Sequence, residues 1–131
     1  MATILVVDDD DGVRGLVCEV LKSGGHAVVE LTDGQKAVDS LGLTPGIAQS
    51  VKPDLIVMDI MMPGMDGFTA HNQLQHAPHT RRIPLLILSS KAGMKESFQS
   101  STNVASFMEK PFKAADLLAK VKELLAAKGK S

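Results

Sequence analysis

Short apolar runs alternate with longer amphipathic segments along this chain. The short runs are rich in Val, Ile and Leu, are bounded by turn residues and are nearly continuous in apolar character, which is typical of strands covered on both faces of a parallel sheet. The predicted strands are Thr3–Val7, Ala27–Leu31, Asp54–Met58, Pro84–Leu88 and Val104–Glu109.

The amphipathic segments predict helices between these strands. The first segment places apolar residues at the i, i+3, i+4, i+7 and i+8 spacing of one helix face, at Val13, Leu16, Val17, Val20 and Leu21. Asp11 is its predicted N-cap, and Gly24-Gly25 ends it. Further helices are predicted over Gln35–Leu41, after Asp66-Gly67 around Phe68 and Leu74, over Gly93–Thr102, and around Leu117, Leu118, Val121, Leu124 and Leu125. Strands that alternate with helices predict an α/β fold with one doubly wound parallel sheet.

One segment, residues 42–50, does not fit this alternation. Thr44-Pro45 has the residue types of an N-cap and a first helical position, so an extra helical turn is one interpretation. A plain surface loop is the other, and the pattern does not distinguish them.

Composition narrows the class of protein. The 131 residues fit a single domain over residues 1–131, with a core from about residue 3 to 125. Only six residues follow Leu125, so a stand-alone domain is favoured over one cut from a longer protein at a linker, and both remain open. The single cysteine, Cys18, excludes an internal disulfide, is expected to pack in the core and suits the cytoplasm. A net charge of −1 gives no broad electrostatic case for direct contact with nucleic acid or a membrane.

Polar residues of distinct chemistry follow four of the predicted strands. Asp8 and Asp9 come after the first strand, Asp59 after the third, Ser89 after the fourth and Lys110 after the fifth. Because the carboxyl ends of parallel strands share one edge of a sheet, these residues are expected to converge on one pocket.

The expected pocket has the groups that phosphoryl transfer requires. Three neighbouring carboxylates repel one another, and a hard divalent cation with oxygen ligands, above all Mg²⁺, relieves that repulsion. Lys110 would add a fixed positive charge and Ser89 a hydroxyl donor. A nucleophilic carboxylate, a metal, a cation and a hydroxyl together favour chemistry on a phosphoryl group.

The motifs resemble those of the response-regulator receiver domain, the phosphoacceptor module of two-component signalling and of chemotaxis regulators. The similar stretches are Ile4–Asp9, Asp59–Gly67, Ser89 and Lys110-Pro111-Phe112, in the family's order and at compatible spacing. Similarity extends from about Thr3 to about Leu125. It implies a flavodoxin-like (βα)5 fold with strand order 2-1-3-4-5.

The resemblance also implies roles for individual residues. Asp59 would be the phosphoacceptor. Asp9, Asp59 and the backbone carbonyl of Met61 would bind Mg²⁺ directly, and Asp8 would bind it through water. Lys110 would contact the phosphoryl group, and its peptide bond to Pro111 would be cis.

Further roles concern the response to phosphorylation. Ser89 would be the switch hydroxyl and Phe107 the switch aromatic, where many relatives have Tyr. The signalling face would comprise the fourth helix, fifth strand and fifth helix. Met61 and Lys91 occupy the positions that, in relatives, line the approach of hydrolytic water.

The implied partners are a sensor histidine kinase or phosphotransfer protein and an unidentified downstream target. The implied activity is limited to the domain's own phosphorylation and dephosphorylation, so the chain is not expected to be an enzyme in the usual sense. Direct binding to nucleic acid or to a membrane is not expected.

Two other functions remain as alternatives. Asp9-Asp10-Asp11-Gly12-Val13 also fits the signature of a haloacid-dehalogenase-like phosphatase, although no acidic pair follows Lys110 at a strand end. A scaffold that works without phosphorylation could use the same fold.

Asp66 is favoured as a helix cap over a ligand. The four histidines are interpreted as surface residues and not as metal ligands; they are His26, His71, His76 and His79.

Overall fold

Five parallel strands form the centre of the molecule. A computed structural model describes residues 2–59, 72–74, 76–77, 79–80, 82–89, 104–109 and 112–129. The strands are β1 (Thr3–Val7), β2 (Ala27–Leu31), β3 (Leu55–Asp59), β4 (Leu85–Ser89) and β5 (Val104–Glu109). β3 and β4 begin and end one residue later than the pattern predicted, so Asp59 and Ser89 are the last residues of their strands.

The strands pair in the order β2-β1-β3-β4-β5. Every neighbouring pair is parallel, and the register of β1 with β3 places Val7 opposite Met58. The predicted α/β class, the parallel pairing and the strand order are therefore confirmed. All five carboxyl ends lie at the same edge of the sheet.

Alternate residues of each strand belong to two separate cores, one on each face of the sheet. One core contains side chains such as Leu5, Ile56 and Ile87, packed with α2 (Gly34–Ser40). The other contains Ile4, Val57 and the residues that α1 (Asp11–Ser23) and α3 (Ala114–Gly129) turn toward the sheet. Burial on both faces explains why the strands are nearly continuous apolar runs.

Two predictions about α1 were wrong in detail. Asp10, not Asp11, is the N-cap: its backbone is extended and its side chain accepts a hydrogen bond from the amide of Val13. Leu16 has the spacing of the buried face but is 50% exposed, whereas Cys18 is buried. The buried face of α1 is rotated toward Val17, Cys18, Val20 and Leu21.

The segment after α2 is a loop, so of the two interpretations left open the surface loop is confirmed and the extra helical turn is wrong. The amide of Ile47 donates to the carbonyl of Thr44 at 3.1 Å, and Gly46 has a φ of +86°. Pro at the second position and a positive-φ Gly at the third are the signature of a type II turn. The Pro that suggested a helix start therefore fixes a reverse turn.

Other predicted elements lie partly or wholly outside the described residues. Residues 72–74 and 76 are helical, consistent with the predicted third helix, whereas the predicted helix over Gly93–Thr102 is not among the described residues. Within the described part of the chain, no helix combines the length and apolar character needed to cross a membrane.

Candidate functional site

Three carboxylates meet at the carboxyl edge of the sheet. Asp8 directly follows β1 and Asp59 ends β3, and these two strands are neighbours. One carboxylate oxygen from each of Asp8, Asp9 and Asp59 lies within 4.8 Å of the other two. Asp8 and Asp59 are only 2% and 7% exposed, whereas Asp9 is exposed to solvent. The structure thus brings together the three acidic residues that the sequence placed at this edge.

Local hydrogen bonds orient the loop between β1 and α1. The amide of Asp10 donates to Oδ1 of Asp8 at 2.9 Å, which closes an Asx turn immediately after the strand. Asp10 in turn caps α1 with its own carboxylate. Successive acidic residues therefore have different tasks, since Asp8 belongs to the cluster and Asp10 belongs to the helix cap.

Arg14 ties this loop to its surroundings. Its Nη1 donates to the carbonyl of Asp8 at 2.8 Å, and its Nη2 donates to the carboxylate of Asp11 one turn earlier. Its Nε lies 3.5 Å from the carboxylate of Glu30 on β2. The hydrogen bond with Asp11 is the main reason why the pKa of Arg14 is raised.

The sequence interpretation missed Arg14. The signal that could have identified it is the i,i+3 spacing from Asp11, which puts both residues on one side of the helix. Arg14 is a positioning residue, because it holds the backbone of the acidic loop and is not itself among the clustered carboxylates.

The donor set suits a hard divalent cation. Like charges this close are unfavourable in a partly buried site, and carboxylate oxygens are the ligands that Mg²⁺ prefers. Among the residues that the structure describes, Asp8, Asp9 and Asp59 form the only group of three or more potential metal ligands. The predicted magnesium site therefore coincides with a cluster that can hold a metal.

One further predicted residue, Ser89, reaches this edge at the end of β4. Ser89 is the last residue of β4 and pairs with Glu109, the last residue of β5. Lys110 comes next in the chain but lies outside the described residues, as do Met61, Lys91, Pro111 and Asp66. Phe107 is half-buried, pairs with Ile87 and packs against the core on the α2 face.

The described histidines and the cysteine make no second metal centre. Nδ1 of His76 lies 2.6 Å from the carbonyl of Asn72, and Nε2 of His79 lies 2.8 Å from the carbonyl of Leu41. His26 is less exposed than expected, and its Nδ1 is buried without a partner among the described residues. Burial raises the pKa of the Cys18 thiol to about 11, so the thiol stays protonated near neutral pH.

Comparison with known families separates the receiver domain from the phosphatase alternative. The family described as the response regulator receiver domain matches residues 4–122. The chain belongs to this family. The phosphatase alternative loses its support, since Asp11 of that signature lies in the first turn of α1 and pairs with Arg14.

Individual relatives agree with this assignment. The receiver domain is 33% identical over 126 residues to the DNA-binding dual master transcriptional regulator RpaA of Synechocystis sp. (strain ATCC 27184 / PCC 6803 / Kazusa). The match covers 95% of this chain but only 49% of RpaA, so the chain spans about half the length of that relative.

Solved structures have the same fold. A putative response regulator from Chloroflexus aurantiacus J-10-fl is 28% identical with a TM-score of 0.81, and the match covers 95% of this chain and 98% of that one. The receiver domain of the sensor histidine kinase PA1611 from Pseudomonas aeruginosa PAO1 is 26% identical with a TM-score of 0.82, again over 95% and 98%. The PA1611 structure has a magnesium ion coordinated in its active site cleft.

Proposed function

We propose that this receiver domain accepts a phosphoryl group on Asp59 from a sensor histidine kinase or a phosphotransfer protein. The observation that carries the proposal is the convergence of the Asp8, Asp9 and Asp59 carboxylates at the carboxyl edge of the sheet. Asp59 lies on the central strand of the sheet, between β1 and β4, with only 7% of its surface exposed. A carboxylate held rigidly at the end of a strand is well placed to act as a nucleophile.

The transfer exchanges one bond to phosphorus for another. A carboxylate oxygen of Asp59 forms a bond to phosphorus, while the bond from phosphorus to the donor's histidine nitrogen breaks. The electron pair of that bond stays with the histidine, and Asp59 becomes an acyl phosphate. Lys110, which follows β5, would pair with the negative charge of the transferred group.

Mg²⁺ would be held by Asp9, Asp59 and the backbone carbonyl of Met61, with Asp8 bound through water. When bound, the ion supplies positive charge that offsets repulsion between the carboxylates and the incoming phosphoryl oxygens. The hydrogen bonds within the β1–α1 loop support this assignment. They fix Asp8 in a buried position and leave Asp9 exposed at the mouth of the site.

The test is intact-mass analysis after incubation with acetyl phosphate. One phosphoryl group should be added to the wild type in the presence of Mg²⁺, and none after chelation. Asp59→Asn should remain unlabelled, whereas Asp116→Asn, which changes an exposed carboxylate on α3, should be labelled like the wild type. Equal labelling of Asp59→Asn and wild type would refute the phosphoacceptor assignment.

The signalling face would comprise the helix predicted over Gly93–Thr102, β5 and α3. Ser89 would move toward the phosphoryl oxygens and vacate space into which Phe107 turns, which shifts a population between two states. The half-buried position of Phe107 is compatible with such a change. NMR shifts on phosphorylation should include β5 and α3. Shifts confined to α1 and α2 would contradict this face.

The lifetime of the acyl phosphate would be long. Met61 offers no strong hydrogen bond to an attacking water, and a protonated Lys91 offers no acceptor. The decay of phosphorylated Asp59 should therefore be faster in Met61→Asn and Lys91→Glu than in wild type. Decay at the wild-type rate in both variants would show that these positions do not set the lifetime.

A further inference from the structure

A cavity of about 440 Å³ lies at the edge of the sheet opposite the acidic cluster. Its lining residues are Gln49, Lys52, Pro53, His79, Arg82 and Ile83. Pro53 comes two residues before β3 and Ile83 two residues before β4, so the cavity lies where these strands begin. From the usual rise per residue of a β-strand, the distance along β3 from Pro53 to Asp59 is roughly 20 Å.

One wall of the cavity belongs to the loop between α2 and β3. The carbonyl of Ser40 accepts hydrogen bonds from the amides of Ser50 and Val51, at 2.9 and 3.0 Å, which brings the end of the loop back to α2. Gly42 makes this closure possible. Its φ is +74°, and a Cβ at this position would lie 2.8 Å from Cβ of Gln49.

The other wall is fixed to the same loop. Nε2 of His79 donates to the carbonyl of Leu41 at 2.8 Å, across 38 residues of sequence. The hydroxyl of the fully buried Thr80 donates to the carbonyl of Leu74 at 2.7 Å, which anchors the next residue. Specific hydrogen bonds therefore hold both walls, and the cavity is not a gap between unrelated surface side chains.

The charged residues that line the cavity, Lys52 and Arg82, are both basic. Lys52 and Arg82 are exposed, and neither forms an ion pair within the described part of the chain. None of the described residues that line the cavity is acidic. Pro53 and Ile83 are buried and supply an apolar floor. Two cations without an ion-pair partner among the described residues, in a chain of net charge −1, favour a local site for an anion over a general basic surface.

We propose that this cavity binds a phosphate monoester with an apolar organic body. The guanidinium of Arg82 matches the oxygens of a phosphate in a two-pronged arrangement, and the ammonium of Lys52 supplies a second charge for a dianion. The body of the ligand would cover Pro53 and Ile83. The volume lies within the range of small-molecule pockets, which combine apolar walls with a few polar groups.

This cavity is separate from the proposed phosphorylation site at Asp59. The two sites are at opposite edges of the sheet and share no residue. β3 and β4 each begin near the cavity and end at the phosphoacceptor edge, so they connect the two sites.

The test is a titration of the whole isotope-labelled protein with phenyl phosphate, followed by NMR in the presence of a metal chelator. Saturable shifts are expected at the amides of Gln49, Lys52 and Ile83, with smaller changes at Asp9 and Asp59. Arg82→Gln and Lys52→Gln should each weaken binding about tenfold, because each removes a charged hydrogen bond. Lys22→Gln, which neutralises an exposed lysine on α1, should bind as the wild type does.

Several outcomes would overturn the proposal. If inorganic phosphate bound as tightly as phenyl phosphate, the apolar body would not be recognised. If benzoate bound as tightly as phenyl phosphate, the phosphate group would not be recognised. Shifts centred on Asp9 and Asp59, wild-type affinity in Arg82→Gln, or no saturation would show that the ligand does not bind in this cavity. The spectra of the variants themselves report whether the fold is intact, and both substituted side chains are exposed.

Discussion

A group of acidic side chains lies at one edge of the sheet and a pair of basic side chains at the other, and the two are built in different ways. At the carboxyl edge, Asp8 and Asp59 directly follow or end strands, and their positions are set by strand pairing. At the amino edge, Lys52 and Arg82 are brought together by a loop that closes through Gly42 and by a hydrogen bond of His79. The acidic edge therefore depends on the regular sheet, whereas the cationic edge depends on a particular loop closure. Substitutions should separate the two.

The largest effect is expected from Gly42→Ala. The new side chain would combine a positive φ with an overlap against Gln49, including its backbone, so the protein should lose about 3 kcal/mol of unfolding free energy. Gly46→Ala is the matched control, since Gly46 also has a positive φ but open space around it. It should cost only about 1 kcal/mol.

Denaturant unfolding measures both variants, and NMR locates the change. In Gly42→Ala the perturbed amides should lie around the cavity, whereas Mg²⁺ should still shift the amides of Asp8 and Asp9 in the folded protein. Equal stability of the two variants would contradict the close approach of Gly42 to Gln49.

Arg14→Ala is expected to affect the opposite edge. Loss of the hydrogen bonds to the carbonyl of Asp8 and to Asp11 should lower the unfolding free energy, by less than Gly42→Ala does. It should also weaken Mg²⁺ binding, because the loop that carries Asp8 and Asp9 loses its anchor. Arg14→Lys should recover part of the metal affinity, since one of the contacts can be replaced.

The comparison variant is Lys22→Ala, which removes an exposed cation from the same helix. Its Mg²⁺ affinity, measured by calorimetry, and its unfolding free energy, measured with denaturant, should both be close to the wild-type values. Metal affinity that is the same in Arg14→Ala and wild type would show that Arg14 supports the helix but does not position the acidic loop.

The smallest effect concerns Asp39, in the last turn of α2, just before the loop that forms the cationic edge. Hydrogen bonds from Thr44 and then Gln35 lower the pKa of Asp39. Because the pKa is lower in the folded state, ionised Asp39 stabilises the fold at pH values above its ordinary pKa of about 3.9. This contribution is lost as the pH falls through the lower pKa of the folded state. Thr44→Val should raise the pKa of Asp39 toward the ordinary value, as measured by NMR titration of its carboxyl carbon.

Thr32→Val serves as the control for that titration, since Thr32 accepts a hydrogen bond from Lys36 and makes none with Asp39. An unchanged pKa of Asp39 in Thr44→Val would show that the hydrogen bond from Thr44 to Asp39 does not join the loop to α2.

The sequence was informative where structure is regular. Periodicity located all five strands to within one residue, and the ends of parallel strands brought Asp8, Asp9 and Asp59 to one edge. The strand order was implied only by the family resemblance, because periodicity does not specify which strands are neighbours. Leu16 has the right spacing for burial, but spacing alone does not fix the rotation of a helix against its sheet.

The parts that were missed depend on contacts distant in sequence or on competing local signals. Thr44-Pro45 fits both a helix start and a type II turn, and the positive φ of Gly46 decides for the turn. Asp10 and Asp11 are equally good caps by residue type. Asp11 accepts a hydrogen bond from Arg14, and Asp10 caps the helix. The cavity at the amino edge joins residues 30 positions apart, from Lys52 to Arg82, through a loop with no regular pattern.

Asp59 is the proposed nucleophile of the acidic edge. Sodium borohydride reduces an acyl phosphate to the corresponding alcohol, so it converts a phosphorylated aspartate into homoserine. The protein should be phosphorylated with acetyl phosphate and Mg²⁺, reduced, digested and mapped by mass spectrometry. We expect homoserine at position 59 alone, and no conversion when Mg²⁺ is chelated. Homoserine at Asp8 or Asp9 instead of Asp59 would contradict this assignment.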